Sequence, residues 1–135
     1  MTGGGNVNEK CTKMILDRLG DNPIYVTFDL DCLDATVAPG TANLEPAFRG
    51  FNIDEARKLI QSLKGKNVIG GDVACLMPTK DSPNNITSMV AASVMFEIIC
   101  LISIKLNKWV QKLLNLIGDA ETLGIKVQKT LLGVY

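Results

Sequence analysis

The stretch TFDLDCLDATVAPG (residues 27–40) carries three acids, Asp29, Asp31 and Asp34, within six positions. It follows the run NPIYV, where a turn at Asn22-Pro23 leads into β-branched and aromatic residues. That combination predicts a strand ending in an acidic loop. Side chains at i and i+2 of an extended strand lie on the same face. At the end of the strand the backbone turns, so Asp29 and Asp31 can reach one point.

Working outward, residues 9–19 place Cys11, Ile15 and Leu19 at four-residue steps beside Leu16, the stripe of an amphipathic helix closed by Gly20. From Cys32 to Gly50 there is no periodicity, and Pro39, Gly40, Pro46 and Gly50 mark a long loop. Asn52 and Glu55 have the spacing of a capping box, and Ile53, Ala56, Leu59, Ile60 and Leu63 form the stripe of the helix that Gly65 ends. NVIGGDVACL reads as a second strand, apolar apart from Asp72. The loop MPTKDSPNN precedes an apolar helix from near Ile86, with Thr87 or Ser88 as the expected cap. Strands alternating with helices predict an α/β fold with parallel strands and right-handed crossovers. Ligands in such sheets sit beyond the carboxyl ends of the strands, so Asp29, Asp31 and Asp72 are expected to face one crevice.

Composition narrows the function. Fourteen basic and fourteen acidic residues cancel, and no like-charge run forms a patch, so nucleic acid is not an expected partner. Cys11, Cys32, Cys75 and Cys100 form no C-x-x-C pair, which matches neither a zinc site nor a disulfide framework. MTGGGNVNEK has no secretion-signal pattern. The expected compartment is the cytoplasm, with the mitochondrial matrix as the alternative. Met89–Leu106 is almost wholly apolar, but Glu97 lies near its middle. A charge is costly at a bilayer centre, so the reading is a helix buried in a soluble core, without a membrane. In the tail, Leu106, Val110, Leu113, Leu114 and Ile117 form an amphipathic stripe beside Trp109, read as core or interface.

The motif as a whole resembles the metal-binding signature of the arginase and agmatinase (ureohydrolase) family, nearest to agmatinase. Thr27, Phe28, Asp29, Leu30, Asp31, Asp34, Ala35, Pro39 and Gly40 fit its pattern, and the similarity continues through Glu45-Pro46, the helix from Asn52, NVIGGDV and DSPNNITSMVAASVMFEIIC, roughly residues 14–104. The resemblance implies a partial three-layer α/β/α arginase-type fold. Residues 1–105 would be the carboxyl-terminal half of that domain, and 106–135 a helical extension without a family counterpart. It implies a pair of Mn²⁺ ions, with Asp29 and Asp31 as metal ligands, hydrolysis of a guanidino compound to urea, and a homo-oligomer or association with a full-length relative. Asp34 is expected to fix the loop through hydrogen bonds to nearby backbone N–H groups.

The pattern also breaks. The family's other metal ligands are a histidine and a D-x-H-x-D motif, and this sequence has no histidine. DVAC places Cys75 where the family has a glutamate that pairs with the guanidinium; a thiol cannot make that bidentate contact. The bottom-up expectation for Cys75 is a buried structural thiol. TANLEPAF (41–48) keeps only Thr41, Glu45 and Pro46 of the family's loop, with Phe48 in place of a glycine. The expected protein is therefore a truncated ureohydrolase, inactive alone, with no catalytic residue assigned and its substrate contacts unknown. The alternative is a non-catalytic interaction module.

Overall fold

A computed structural model of the protein describes residues 9–43 and 50–117, with side chains to residue 112. The retained Glu45 and Pro46, the change at Phe48 and the tail from Gly118 lie outside the described residues. The chain divides into two units, Met1–Lys105 and Leu106–Tyr135. The order of elements is α1 (Glu9–Leu19), β1 (Ile24–Asp29), α2 (Ile53–Gln61), β2 (Val68–Ala74) and α3 (Ile86–Ile117). The two strands pair in parallel, with Thr27 opposite Asp72 and Asp29 opposite Ala74. Both stop at the same end of the sheet, as the alternating pattern predicts.

Each element forms for a local reason. Asn52 Oδ1 accepts the Glu55 N–H at 2.9 Å and Glu55 Oε2 accepts the Asn52 N–H at 3.0 Å, the reciprocal box expected at the start of α2. Gly65, with φ +88, turns the chain back toward β2. α1 ends at Gly20, also left-handed. Lys66 Nζ donates to the carbonyls of Leu16 and Gly20 at 3.0 and 3.1 Å, a cation at the negative end of that helix.

The core lies where α2 and α3 meet the sheet and its following loop. Phe28, Leu30, Leu33 and Ala38 pack with Ala56 and Ile60 of α2, Val68 of β2, and Ala91, Val94, Ile98 and Leu101 of α3. Gly71 fixes how closely the helix approaches. A Cβ there would stand 2.8 Å from Ile98 Cγ2 and 2.5 Å from the Val26 carbonyl oxygen, so only hydrogen fits. Glu97 anchors the same helix sideways, accepting from Arg57 Nε at 2.8 Å and from Gln61 Nε2 at 3.1 Å.

Three expectations need correction. The cap of α3 is neither Thr87 nor Ser88 but Asp81, whose carboxylate accepts the N–H groups of Thr87 at 3.0 Å and Ser88 at 2.9 Å. Asp81 reaches them because Asn85, with φ +54, bends the chain back before the helix starts. Nor is α3 buried all round: Met89, Phe96 and Ile99 are 65%, 56% and 52% exposed on its outer face, because the sheet and α2 cover one side only. By length and composition alone Ile86–Lys112 is apolar enough to cross a membrane; its inner stripe and Glu97 are engaged by the core and by α2. The stripe of α1 is likewise open, with Cys11 and Ile15 exposed and only Leu16 and Leu19 partly covered, since no described element packs over it. In the second unit Leu106 and Trp109 are exposed.

Partial burial of Asp81 works to raise its pKa, but the N–H groups and hydroxyls of Ser88 and Thr87 outweigh it and hold the carboxyl well below the usual range. A carboxyl depressed on folding stabilises the native state above its unfolded pKa and loses that contribution as the pH falls. The stability gap between the wild type and Asp81→Asn should therefore stay constant from neutral pH to about 5 and narrow below about 4, as read by urea unfolding. At the other helix, Asn52→Ala should cost about 0.5–2 kcal/mol in the same measurement.

Candidate functional site

β1 ends at Asp29 and passes straight into a single helical turn, Leu30–Cys32. Leu30 is fully buried and pins that turn to the core. Asp29 Oδ1 accepts the Asp31 N–H at 2.9 Å, which holds the two carboxylates on the same rim of the sheet. The turn keeps together two carboxylates whose i, i+2 spacing already suits one face of a strand. Asp31 is held in turn by Asn43, whose backbone N–H and side-chain amide donate to its two oxygens at 3.2 and 3.3 Å.

The third member comes from β2. Immediately after Ala74, which pairs with Asp29, Cys75 takes φ +66, a left-handed conformation uncommon for a residue with a side chain. One donor atom each of Asp29, Asp31 and Cys75 lies within 4.8 Å of the other two. Cys75 is half-buried, not sequestered in the core as expected, because the chain turns at the strand end. Hydrogen bonding to Asp29, then desolvation and the charges of Asp29 and Asp31, push its thiol up to about 11. The sulfur is therefore protonated at neutral pH, a poor nucleophile that donates to a carboxylate. Cys32 stands nearby, its thiol raised by burial and then by the Asp29 charge.

A second loop closes the frame. The Met77 N–H donates to the Gly40 carbonyl at 2.8 Å and the Ala42 N–H to the Cys75 carbonyl at 3.0 Å, so residues 40–42 run beside 75–77. The Gly40 N–H donates to the buried Thr87 hydroxyl at 2.8 Å. Asp34 has the supporting part expected of it, accepting the N–H and hydroxyl of Thr36 at 2.9 and 2.6 Å. Asp72 does not join the site. It lies inside the strand instead of at its end, and its carboxylate engages the Tyr25 hydroxyl, raising that phenol's pKa.

The donor set is two carboxylates and one thiol among the described residues. A pair of manganese ions needs far more, about six oxygen ligands for each hard ion. The residues present do not fit that pair, and the sequence contains no histidine to extend them. The residue pattern alone put Cys75 in the core, while the resemblance placed it at a substrate position; what both missed is its closeness to the two acids. The signal was its place one residue past the strand end, which parallel pairing puts beside Asp29.

Comparison with known proteins gives this geometry a context. The sequence model described as the arginase family matches residues 5–101, a range containing both strands and all three donors. An agmatinase from Klebsiella pneumoniae is 37% identical over 99 residues, 70% of this chain and 31% of that protein. A hypothetical agmatinase from Burkholderia thailandensis superimposes with a TM-score of 0.62 and 36% identity over 69% of this chain and 28% of that one. Proclavaminate amidino hydrolase from Streptomyces clavuligerus gives 0.63 and 29% over 70% and 31%. The chain spans less than a third of the length of these relatives.

Replacing Asp29 by Asn should lower the Cys75 pKa. Each unit multiplies the thiolate fraction tenfold while intrinsic reactivity falls about threefold, so alkylation speeds up roughly threefold per unit. Iodoacetamide labelling at neutral pH, followed at the Cys75 peptide by mass spectrometry, measures this; an unchanged rate contradicts the Asp29–Cys75 contact.

Proposed function

This chain belongs to the arginase family, and from that premise we propose that it carries the carboxyl-terminal metal-site region of an agmatinase-type ureohydrolase and does not hydrolyse a guanidino compound by itself. The family-level activity is Mn²⁺-dependent release of urea from a substrate such as agmatine. The observation that carries the reading is the cluster at the strand ends: Asp29 and Asp31 stand together, and the third donor is a protonated thiol. Two carboxylates hold a hydrated divalent ion weakly. A thiol paired with Asp29 offers no negative charge to a guanidinium. The four free cysteines agree with a reducing compartment, for which we propose the cytoplasm.

A second reading is favoured by the outer face of α3. Met89, Phe96 and Ile99 lie together in the open, and the two-stranded sheet has no further strand on either side among the described residues. Open edges and apolar faces favour association. The chain would then act as an interaction module on a full-length relative or another partner.

One experiment separates the readings. The purified chain with Mn²⁺ and agmatine or arginine should release no urea above the protein-free rate; turnover would overturn the first reading. Added to an intact agmatinase, the chain should co-sediment with it and change its urea release if it is a module. Separate sedimentation with unchanged urea release would remove the second reading.

A further inference from the structure

The donors at the strand ends do not suit the manganese pair that the ureohydrolase reading calls for, and the mismatch has a chemical direction. Manganese(II) and magnesium are hard ions that take about six oxygens in a near-octahedral shell. A thiol is a soft donor, and it selects zinc-like ions. Zinc is satisfied by three protein ligands and one open position, with bonds of about 2.0–2.2 Å to oxygen and 2.3 Å to sulfur. Donor atoms around such a tetrahedral ion are roughly 3.4–3.8 Å apart, from those bond lengths. The three present are no farther than 4.8 Å from one another, close to that range.

Two backbone segments bring these donors together. Asp29 ends β1, Asp31 lies in the turn that follows, and Cys75 leaves β2 through a left-handed residue. Asn43 holds Asp31 from outside the donor set, through contacts at 3.2 and 3.3 Å. We propose that Asp29, Asp31 and Cys75 form a single-ion site selective for thiophilic divalent cations of the zinc and cadmium type over manganese. Binding forms one metal–sulfur bond, and the thiol proton leaves to solvent. The inference takes its contrast with manganese from the ureohydrolase reading, but its readout is metal binding and is independent of urea release.

A preference for zinc over manganese alone proves nothing, because most sites of nitrogen, oxygen or sulfur donors rank the two in that order. The test is how much of the preference belongs to the sulfur. Affinities for Cd²⁺, Zn²⁺ and Mn²⁺ are measured by calorimetry on the full chain carrying Cys11→Ser, Cys32→Ser and Cys100→Ala, and on the same chain with Cys75→Asp. Circular dichroism checks that both are folded, and the otherwise unsubstituted chain with Cys75→Ser serves as a second pair with the wild type. The thiol-bearing chain should show one ion bound and an ultraviolet sulfur-to-cadmium charge-transfer band. Its Cd²⁺ to Mn²⁺ affinity ratio should exceed that of the Cys75→Asp chain by more than tenfold, and Cys75→Ser should weaken the band in the second pair, where the other three cysteines remain. Equal ratios, or cadmium binding without the band, would overturn the proposal whatever the urea assay gives.

Discussion

The buried hydroxyl of Thr87 accepts the Gly40 N–H, and this bond holds the working end of the molecule together. Gly40 sits where three segments cross. Its carbonyl takes the Met77 N–H, and a Cβ on it would lie 2.7 Å from the Cβ of Asp81. Only glycine permits that approach. Asp81 in turn terminates α3, so the helix start, the loop after β1 and the loop after β2 share one knot of hydrogen bonds. Asn43 and Cys75 hang from the two loops on either side of it, and the acid cluster inherits its geometry from there.

What could be read from residues alone follows the range of each interaction. The box of Asn52 and Glu55 was legible because both halves lie within one helical turn. The parallel pairing was legible from the alternation of strand and helix patterns. The cap of α3 was not, because Asp81 acts across a bend at Asn85 that local preference does not announce. Cys75 was misread for a related reason: a thiol in an apolar strand suggests the core, and only a left-handed residue at the strand end turns it toward Asp29. Asp72 failed in the opposite sense, since an acid late in a strand suggested the rim while the register sets it beside Tyr25's strand, opposite Thr27. Helix periodicity located the stripes of α1 and α3 but could not say what covers them.

Those uncovered stripes agree with the scale of the family match. The chain carries a two-stranded sheet with α2 and α3 against it, and it spans less than a third of the relatives compared with it. The core described is continuous but shallow, with buried residues drawn from one side of each helix. No buried side-chain nitrogen or oxygen among the described residues lacks a hydrogen-bond partner. The strand ends thus present two carboxylates and a thiol, each carboxylate or its neighbour held by local hydrogen bonds.

The Gly40–Thr87 bond has a consequence for the order in which the chain acquires its shape. The two residues are 47 apart in sequence, and closing so long a loop costs entropy before any contact repays it. Both strands, α2 and the whole acidic motif leave the ribosome before Thr87 does. Until Thr87 is in place the Gly40 N–H lacks this partner, so the bond that anchors the loop is closed by a threonine that takes no part in the rim.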